Sequence, residues 1–283
     1  MLRRLACAII LACSTVGLLA VPASAAPTSA TRYYLALGDS LAYGYQPVKP
    51  LDRTQGYVYQ LYDRLRADDP KLSLDNLGCS GETTTTMLVG GICSYPGEVS
   101  QLTAAERFLH AHKDKVDLVT LDIGANDVNH CVHGGVIDAQ CVPRAMAGAA
   151  QNLSEIVSRL RAAAPHTRIV AMTYYDPYLA AWLTGPAGQA LAQQSLQFAA
   201  VLNTLLTSAY TSGGIAVADV AAAFSTFDST DQVPLPGVGA VPLDVARICQ
   251  WTWMCSPTLG PDIHANQQGY AVIAGVFQAV LAA

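Results

Sequence analysis

A serine, a histidine and a side-chain amide lie far apart in this sequence, each in a cluster of small and polar residues. Ser40 stands in "GDSLAYG" directly after the apolar run Tyr33 to Leu37. "NLGCSGETTT" delivers Asn76, Gly78, Ser80 and Gly81 after a second run, and "GANDV" delivers Gly124, Asn126 and Asp127 after a third. Cleavage of an ester by a serine needs a nucleophile, a base to take its proton and donors for the tetrahedral oxyanion. Ser40 suits the first role. Its own backbone N–H, the N–H of Gly81 and the amide of Asn126 suit the third, because glycine leaves room for a substrate and an amide donates without adding charge. The plainer reading of Gly38-Asp39-Ser40 alone is a strand-to-helix turn, with Asp39 or Ser40 as the helix cap.

The base must be sought among six histidines outside the N-terminal segment. His110 and His112 lie near the end of a helical pattern, where positive charge suits the dipole. His130 and His133 flank Cys131, and His166 follows Pro165. His264, in "GPDIHANQQGY", sits in a polar turn before the last helical pattern, with Asn266 as candidate N-cap. It is the histidine expected to return to the mouth that holds Ser40.

These clusters must be carried to one place by the fold. Apolar β-forming runs alternate with helical periodicity: "KLSLDNLG", "VDLVTLDIG", "TRIVAMTYY" and "IAVADV" follow the first strand, and helices are expected around Tyr57 to Leu65, through "EVSQLTAAERFLHAH", over 145–163, 187–210 and 267–281. Such alternation predicts an α/β fold with a mainly parallel five-stranded sheet, helices on both faces, and ligands at the carboxyl ends of the strands. Residues 225–261 contain five prolines and read as an irregular rim or lid. Tyr43, Tyr45 and Trp251 to Met254 are candidates for an apolar acyl groove.

Arg3 and Arg4, the apolar stretch Leu5 to Ala20 and the small residues Ala23 to Ala25 predict an export signal over residues 1–25, followed by one domain over 26–283. The whole chain carries a formal net charge of −5, and loss of two arginines makes the remainder more acidic. That excludes nucleic acid and anionic membrane as main partners. No later run is apolar enough for stable membrane insertion. The six remaining cysteines form three close couples in a chain read as secreted, so disulfides are expected at Cys79–Cys93, Cys131–Cys141 and Cys249–Cys255. The rival, a metal held by His130, Cys131 and His133, lacks a second spaced pair of thiolates, so no metal is expected.

"GDSLAYG", "CSGETTT", "GAND" and "DIHAN" occur in the order of the four blocks of the GDSL or SGNH hydrolases, and the sequence resembles the secreted actinobacterial branch of that family. The resemblance implies a flavodoxin-like three-layer α/β/α sandwich, Ser40 as nucleophile, Gly81 and Asn126 completing the oxyanion hole, His264 as general base, and no cofactor. It implies a small-molecule or lipid ester as substrate; a monomer is expected. Carbohydrate O-acetylesterase activity, or a catalytically silent binding protein, are the alternatives. The sequence departs from the family at one point. The family places an aspartate three residues before the histidine, where this chain has Pro261; Asp262 stands two before. Either the Asp262 carboxylate or a backbone carbonyl orients His264.

Overall fold

The computed structural model describes residues 31–283, and the expected export signal over 1–25 lies outside the described residues. Five strands form the main sheet: β1 (Arg32–Gly38), β2 (Leu72–Asn76), β3 (Val116–Asp122), β4 (Arg168–Met172) and β5 (Ala216–Ala218). All pairs are parallel and the spatial order is β2-β1-β3-β4-β5. β1 is a central strand whose residues Tyr34 to Leu37 are all fully buried. That explains its continuous apolar reading: a parallel strand covered on both faces has no polar side to alternate with. The order reverses beside β1, so the crevice for a ligand opens at the carboxyl ends of β1 and β3.

Among the described residues ten α-helices connect and cover the strands: α1 (Ser40–Tyr43), α2 (Tyr57–Asp68), α3 (Thr84–Val89), α4 (Gln101–Ala111), α5 (Ala125–Asn129), α6 (Cys141–Ala163), α7 (Pro186–Ser212), α8 (Val220–Ala223), α9 (Leu243–Trp251) and α10 (Gln267–Ala282). On one face α2 packs against α10, with Tyr57 stacked on Phe277 at 5.0 Å between ring centroids. On the other, α6 packs between α4 and α7. The result is the expected three-layer α/β/α sandwich. The five long helices run where periodicity placed them, with α6 beginning four residues earlier than Ala145. α10 is capped by Asn266, whose side chain accepts the Gly269 N–H at 3.0 Å. Among the described residues no helix is long and apolar enough to cross a membrane.

The expectation for residues 225–261 needs correction. The segment is ordered: strands Gln232–Leu235 and Gly239–Pro242 pair as an antiparallel hairpin, and α9 follows directly. Pro234 and Pro242 are tolerated because the hairpin is an isolated two-stranded ribbon with open edges. The cysteines pair as expected, Cys79–Cys93, Cys131–Cys141 and Cys249–Cys255. Cys131, the thiolate of the rival set His130, Cys131 and His133, is held in the disulfide with Cys141.

The carboxyl end of β1 is the tightest point of the sheet. Gly38 has φ +141°, and a Cβ there would lie 1.4 Å from Asp122 Oδ1. Gly38→Ala is expected to destabilise the fold by about 3 kcal/mol or more, since both the backbone angle and the space exclude a side chain. Urea unfolding of the purified variant checks this, and a midpoint near that of the wild type would contradict it.

Candidate active site

Ser40 is the first residue of α1, directly after β1, and is nearly buried. The Asp39 carboxylate caps this short helix by accepting the Leu41 N–H at 2.8 Å, and its other oxygen accepts the Tyr174 hydroxyl at 2.8 Å. Burial pushes the Asp39 carboxyl up from the ordinary range, against the Leu41 and Tyr174 hydrogen bonds and the nearby His264 ring. Asp39 therefore anchors the turn, as its position in a capping site suggests. The Ser40 N–H is among the first of its helix, which need no partner within the helix.

Ser40 Oγ lies 2.8 Å from His264 Nε2, across 224 residues of sequence. His264 Nδ1 lies 2.7 Å from Asp262 Oδ1, which also accepts the His264 backbone N–H at 2.9 Å. The two-residue spacing makes this possible: the carboxylate folds back over an Asx-type turn and meets ring and backbone together. Half-burial pushes Asp262 up, but the His264 side-chain and backbone hydrogen bonds and its charge outweigh that, and the carboxyl sits below its usual range. It therefore stays ionised at neutral and mildly acid pH.

The turn that carries the histidine is held from several sides. The Tyr175 hydroxyl donates to Ile263 O at 2.8 Å, and Trp253 N–H donates to His264 O at 3.0 Å. The Gln46 side-chain amide donates to Ala265 O at 3.0 Å and accepts the Trp253 indole N–H at 3.0 Å. Tyr45 packs its ring against His264 at 4.4 Å. Sequence reading did not single out Tyr174 and Tyr175, although a Tyr-Tyr pair at the carboxyl end of β4 marks the same sheet edge. Gln46 carries no local signal at all.

Asn126 lies in α5, directly after β3. One N–H of its amide donates to Glu82 O at 3.0 Å, which leaves the amide's second donor for a ligand. Gly81 precedes Glu82 in an exposed turn at φ +85°, with nothing within 4 Å of where a Cβ would point. Asp127, the next residue of the same block, has a different job. It accepts the Thr84 N–H at 2.9 Å and the Thr84 hydroxyl at 2.6 Å, tying α5 to the start of α3. Asn76 likewise serves the scaffold, donating to Ala42 O at 2.8 Å. Gln101 joins the first two blocks: it accepts the Gly38 N–H at 2.6 Å and donates to Gly38 O and to the buried Glu82 carboxylate. A clamp 63 residues from its partner leaves no pattern in the sequence.

From Ser40, Asn126 and His264 a cleft opens between α6, α7 and the segment after β4. Val128, Val132, Val142, Met146, Phe198 and Leu202 give it apolar walls. Tyr43, Tyr45 and Trp251 to Met254, expected as acyl-groove residues, do not line it: Tyr45 backs the histidine, and Trp251 packs edge-on against Phe224. The walls come from α5, α6 and α7 and from the Cys131–Cys141 loop.

A five-stranded parallel sheet carrying Ser40, His264 and Asp262 in one hydrogen-bonded line, beside an apolar cleft at its carboxyl edge, has the framework of a serine hydrolase. The profile described as the GDSL-like Lipase/Acylhydrolase family matches residues 36–272, and the chain belongs to that family. It is a carboxylic ester hydrolase. No curated protein sequence matches it. Among solved structures it is similar to an extracellular lipase from Streptomyces rimosus, at 19% identity and a TM-score of 0.58 over 88% of this chain and 100% of that one. It is similar to the lipase Lip_vut3 from a goat rumen metagenome, at 17% identity and 0.54 over 88% and 97%. It is also similar to phospholipase A1 from Streptomyces albidoflavus NA297, at 22% identity and 0.50 over 89% and 100%. At such identities the likeness is one of fold.

Asp176, at the far side of the cleft, titrates with a consequence for stability. Burial lifts its carboxyl to about 6, against the Ser195 hydroxyl and the Tyr178 N–H that it caps. A raised acid binds its proton more tightly in the folded than in the unfolded chain. Its contribution is therefore full below the unfolded value near ~4 and is lost as pH rises through about 6. Thermal unfolding from pH 5 to 7.5 should show a melting temperature that falls with pH. Asp176→Asn, which keeps the cap through its amide oxygen, should flatten that slope, and an unchanged slope would contradict the assignment.

Proposed function

We propose that the chain is a secreted lipid-ester hydrolase that acts through an acyl-enzyme on Ser40. His264 Nε2 takes the Ser40 proton as Oγ attacks the ester carbonyl, then returns it to the leaving alkoxide. The second half-reaction repeats this with water. Asp262 holds the imidazole with Nδ1 protonated and stabilises the imidazolium that forms. The Ser40 and Gly81 N–H groups and the free donor of Asn126 receive the oxyanion. The observation that carries this reading is the continuous line from Ser40 Oγ through His264 to Asp262, at 2.8 and 2.7 Å.

The apolar walls of the cleft favour an acyl chain of several carbons over the acetyl group of a carbohydrate ester. Burial of each methylene in such a cleft is worth ~0.8 kcal/mol. Three disulfides support an export route, as does the fold likeness to a lipase described as extracellular. From the four motif blocks and the composition of residues 1–25 we further propose that the chain belongs to the secreted actinobacterial branch and is cleaved after Ala25, leaving 26–283 as one domain that works as a monomer.

An alkyl fluorophosphonate should phosphonylate Ser40 alone, with loss of fluoride and the serine proton, and Ser40→Ala should abolish both labelling and turnover. A 4-nitrophenyl ester series should rise from acetyl towards medium chains; activity confined to acetyl esters would favour the acetylesterase reading. Asp262→Asn should lower kcat by about 10⁴, because an amide favours the wrong histidine tautomer. Near-normal turnover with an unchanged melting temperature would assign the role to a backbone carbonyl instead. Asn126→Ala should cost about 10²–10³ in kcat with little change in KM, and a wild-type rate would remove Asn126 from the oxyanion hole.

A further inference from the structure

A second, wider groove lies beside the cleft. Its walls come from the start of α7 and the segment before it (Leu183, Ala187, Leu191), from the hairpin (Leu235, Val238) and from Met254 beside the Cys249–Cys255 disulfide. No charged side chain lines it, and its side-chain hydroxyls are those of Tyr178 and Thr184. A sugar or a peptide would leave most of its hydrogen-bonding groups unpaired against such a wall, at a cost of roughly 1–3 kcal/mol each. An alkyl chain would leave none.

The groove and the cleft share two walls. Val132 and Tyr178 line both. Pro261 lines the groove, while Ile263 and His264 of the same turn line the cleft. Val132 sits in the loop closed by the Cys131–Cys141 disulfide, so the shared partition is tied down covalently. Two apolar channels thus meet at the turn that carries His264.

We propose that the groove binds a second alkyl chain of the same substrate molecule, so that the preferred substrate is a two-chain ester whose scissile acyl group occupies the cleft at Ser40. This rests on the hydrolase reading above and names the substrate class of that site. The second chain takes no part in bond breaking. Its burial lowers the barrier because it fixes the ester against Ser40, and remote binding energy is used in this way when it is realised with the reacting geometry.

The test uses two esters with one scissile bond each: monooctanoylglycerol, and the same ester carrying an octyl ether on the neighbouring oxygen. Both are presented as monomers, below the concentration at which they aggregate. The wild type should show kcat/KM at least about tenfold higher for the two-chain ester. Ala187→Glu and Val238→Glu put a charge on opposite walls of the groove. Both positions are exposed, and an acid in the first turn of α7 suits the helix dipole. Each should bring the ratio between the two esters down towards one.

A wild-type ratio near one overturns the proposal, as does a loss of equal factor on both esters in the two variants. A preference that emerges only above the aggregation concentration also overturns it, and assigns the groove to a lipid surface instead. Hydrolysis of the two esters separates the two levels. If both are cleaved at equal rates and cleavage depends on Ser40, only the second-chain site fails; if neither is cleaved, the lipid-ester reading fails and the second-chain site with it.

Discussion

The end of β1 is the point on which the site hangs. Gly38 is pressed against Asp122 of β3 so closely that no Cβ fits between them. Asp39 N–H donates to both the backbone and the side-chain oxygen of Asp122, and Gln101 grips Gly38 through its N–H and its carbonyl together. A strand end fixed on both sides gives the next residue almost no freedom. Ser40 therefore emerges at a set position and direction, and a histidine 224 residues later can meet it at hydrogen-bond distance. In the proposed role of nucleophile, a serine that is already oriented spares the reaction the entropy of finding its geometry.

The other parts of the site follow the same construction: a polar side chain buried behind the reacting edge and fully engaged. Asp127 holds α3 to α5, Tyr174 holds Asp39, and Tyr175 holds the histidine turn. These groups occupy a low-dielectric interior, where an unmade hydrogen bond is costly, so each arrangement resists being loosened. The carboxyls divide by their surroundings. Asp39 and Asp176 are enclosed and rise, whereas Asp262, half-exposed and paired with His264, falls. The falling carboxyl is the one that meets a ring nitrogen, where a fixed negative charge has chemical use.

In front of this braced edge the protein is apolar and cross-linked. The Cys131–Cys141 loop contributes Val132 and Ile137 to the cleft wall, and Cys249–Cys255 ties the end of α9 to the segment that leads to His264. Disulfides suit this position. The loops carry few ladder hydrogen bonds of their own, and a cross-link limits the unfolded ensemble where local structure is weakest. A rigid polar back and a dry, stapled front together suit the acyl-ester chemistry proposed for this site.

The sequence by itself determined the sheet, its helices and the serine and histidine that meet at the sheet's edge. Strand runs buried on both faces must be apolar, amphipathic helices must repeat at their own period, and Gly-Asp-Ser at a strand end states a bend. Local cysteine couples stated the cross-links, since a short loop brings its own ends together. What the sequence left open, only tertiary structure decided. Asp262 at two residues from His264 was compatible with a carboxylate or a carbonyl, and a turn that lets one oxygen meet both ring and backbone placed the carboxylate there. The proline-rich segment read as irregular because an isolated hairpin tolerates proline where a central strand does not. Gln101, Tyr175 and Gln46 act across 63, 88 and 219 residues. A hydrogen bond between distant segments imposes no period and no composition on either, so it becomes visible only when the chain has folded and its backbone has set their separation.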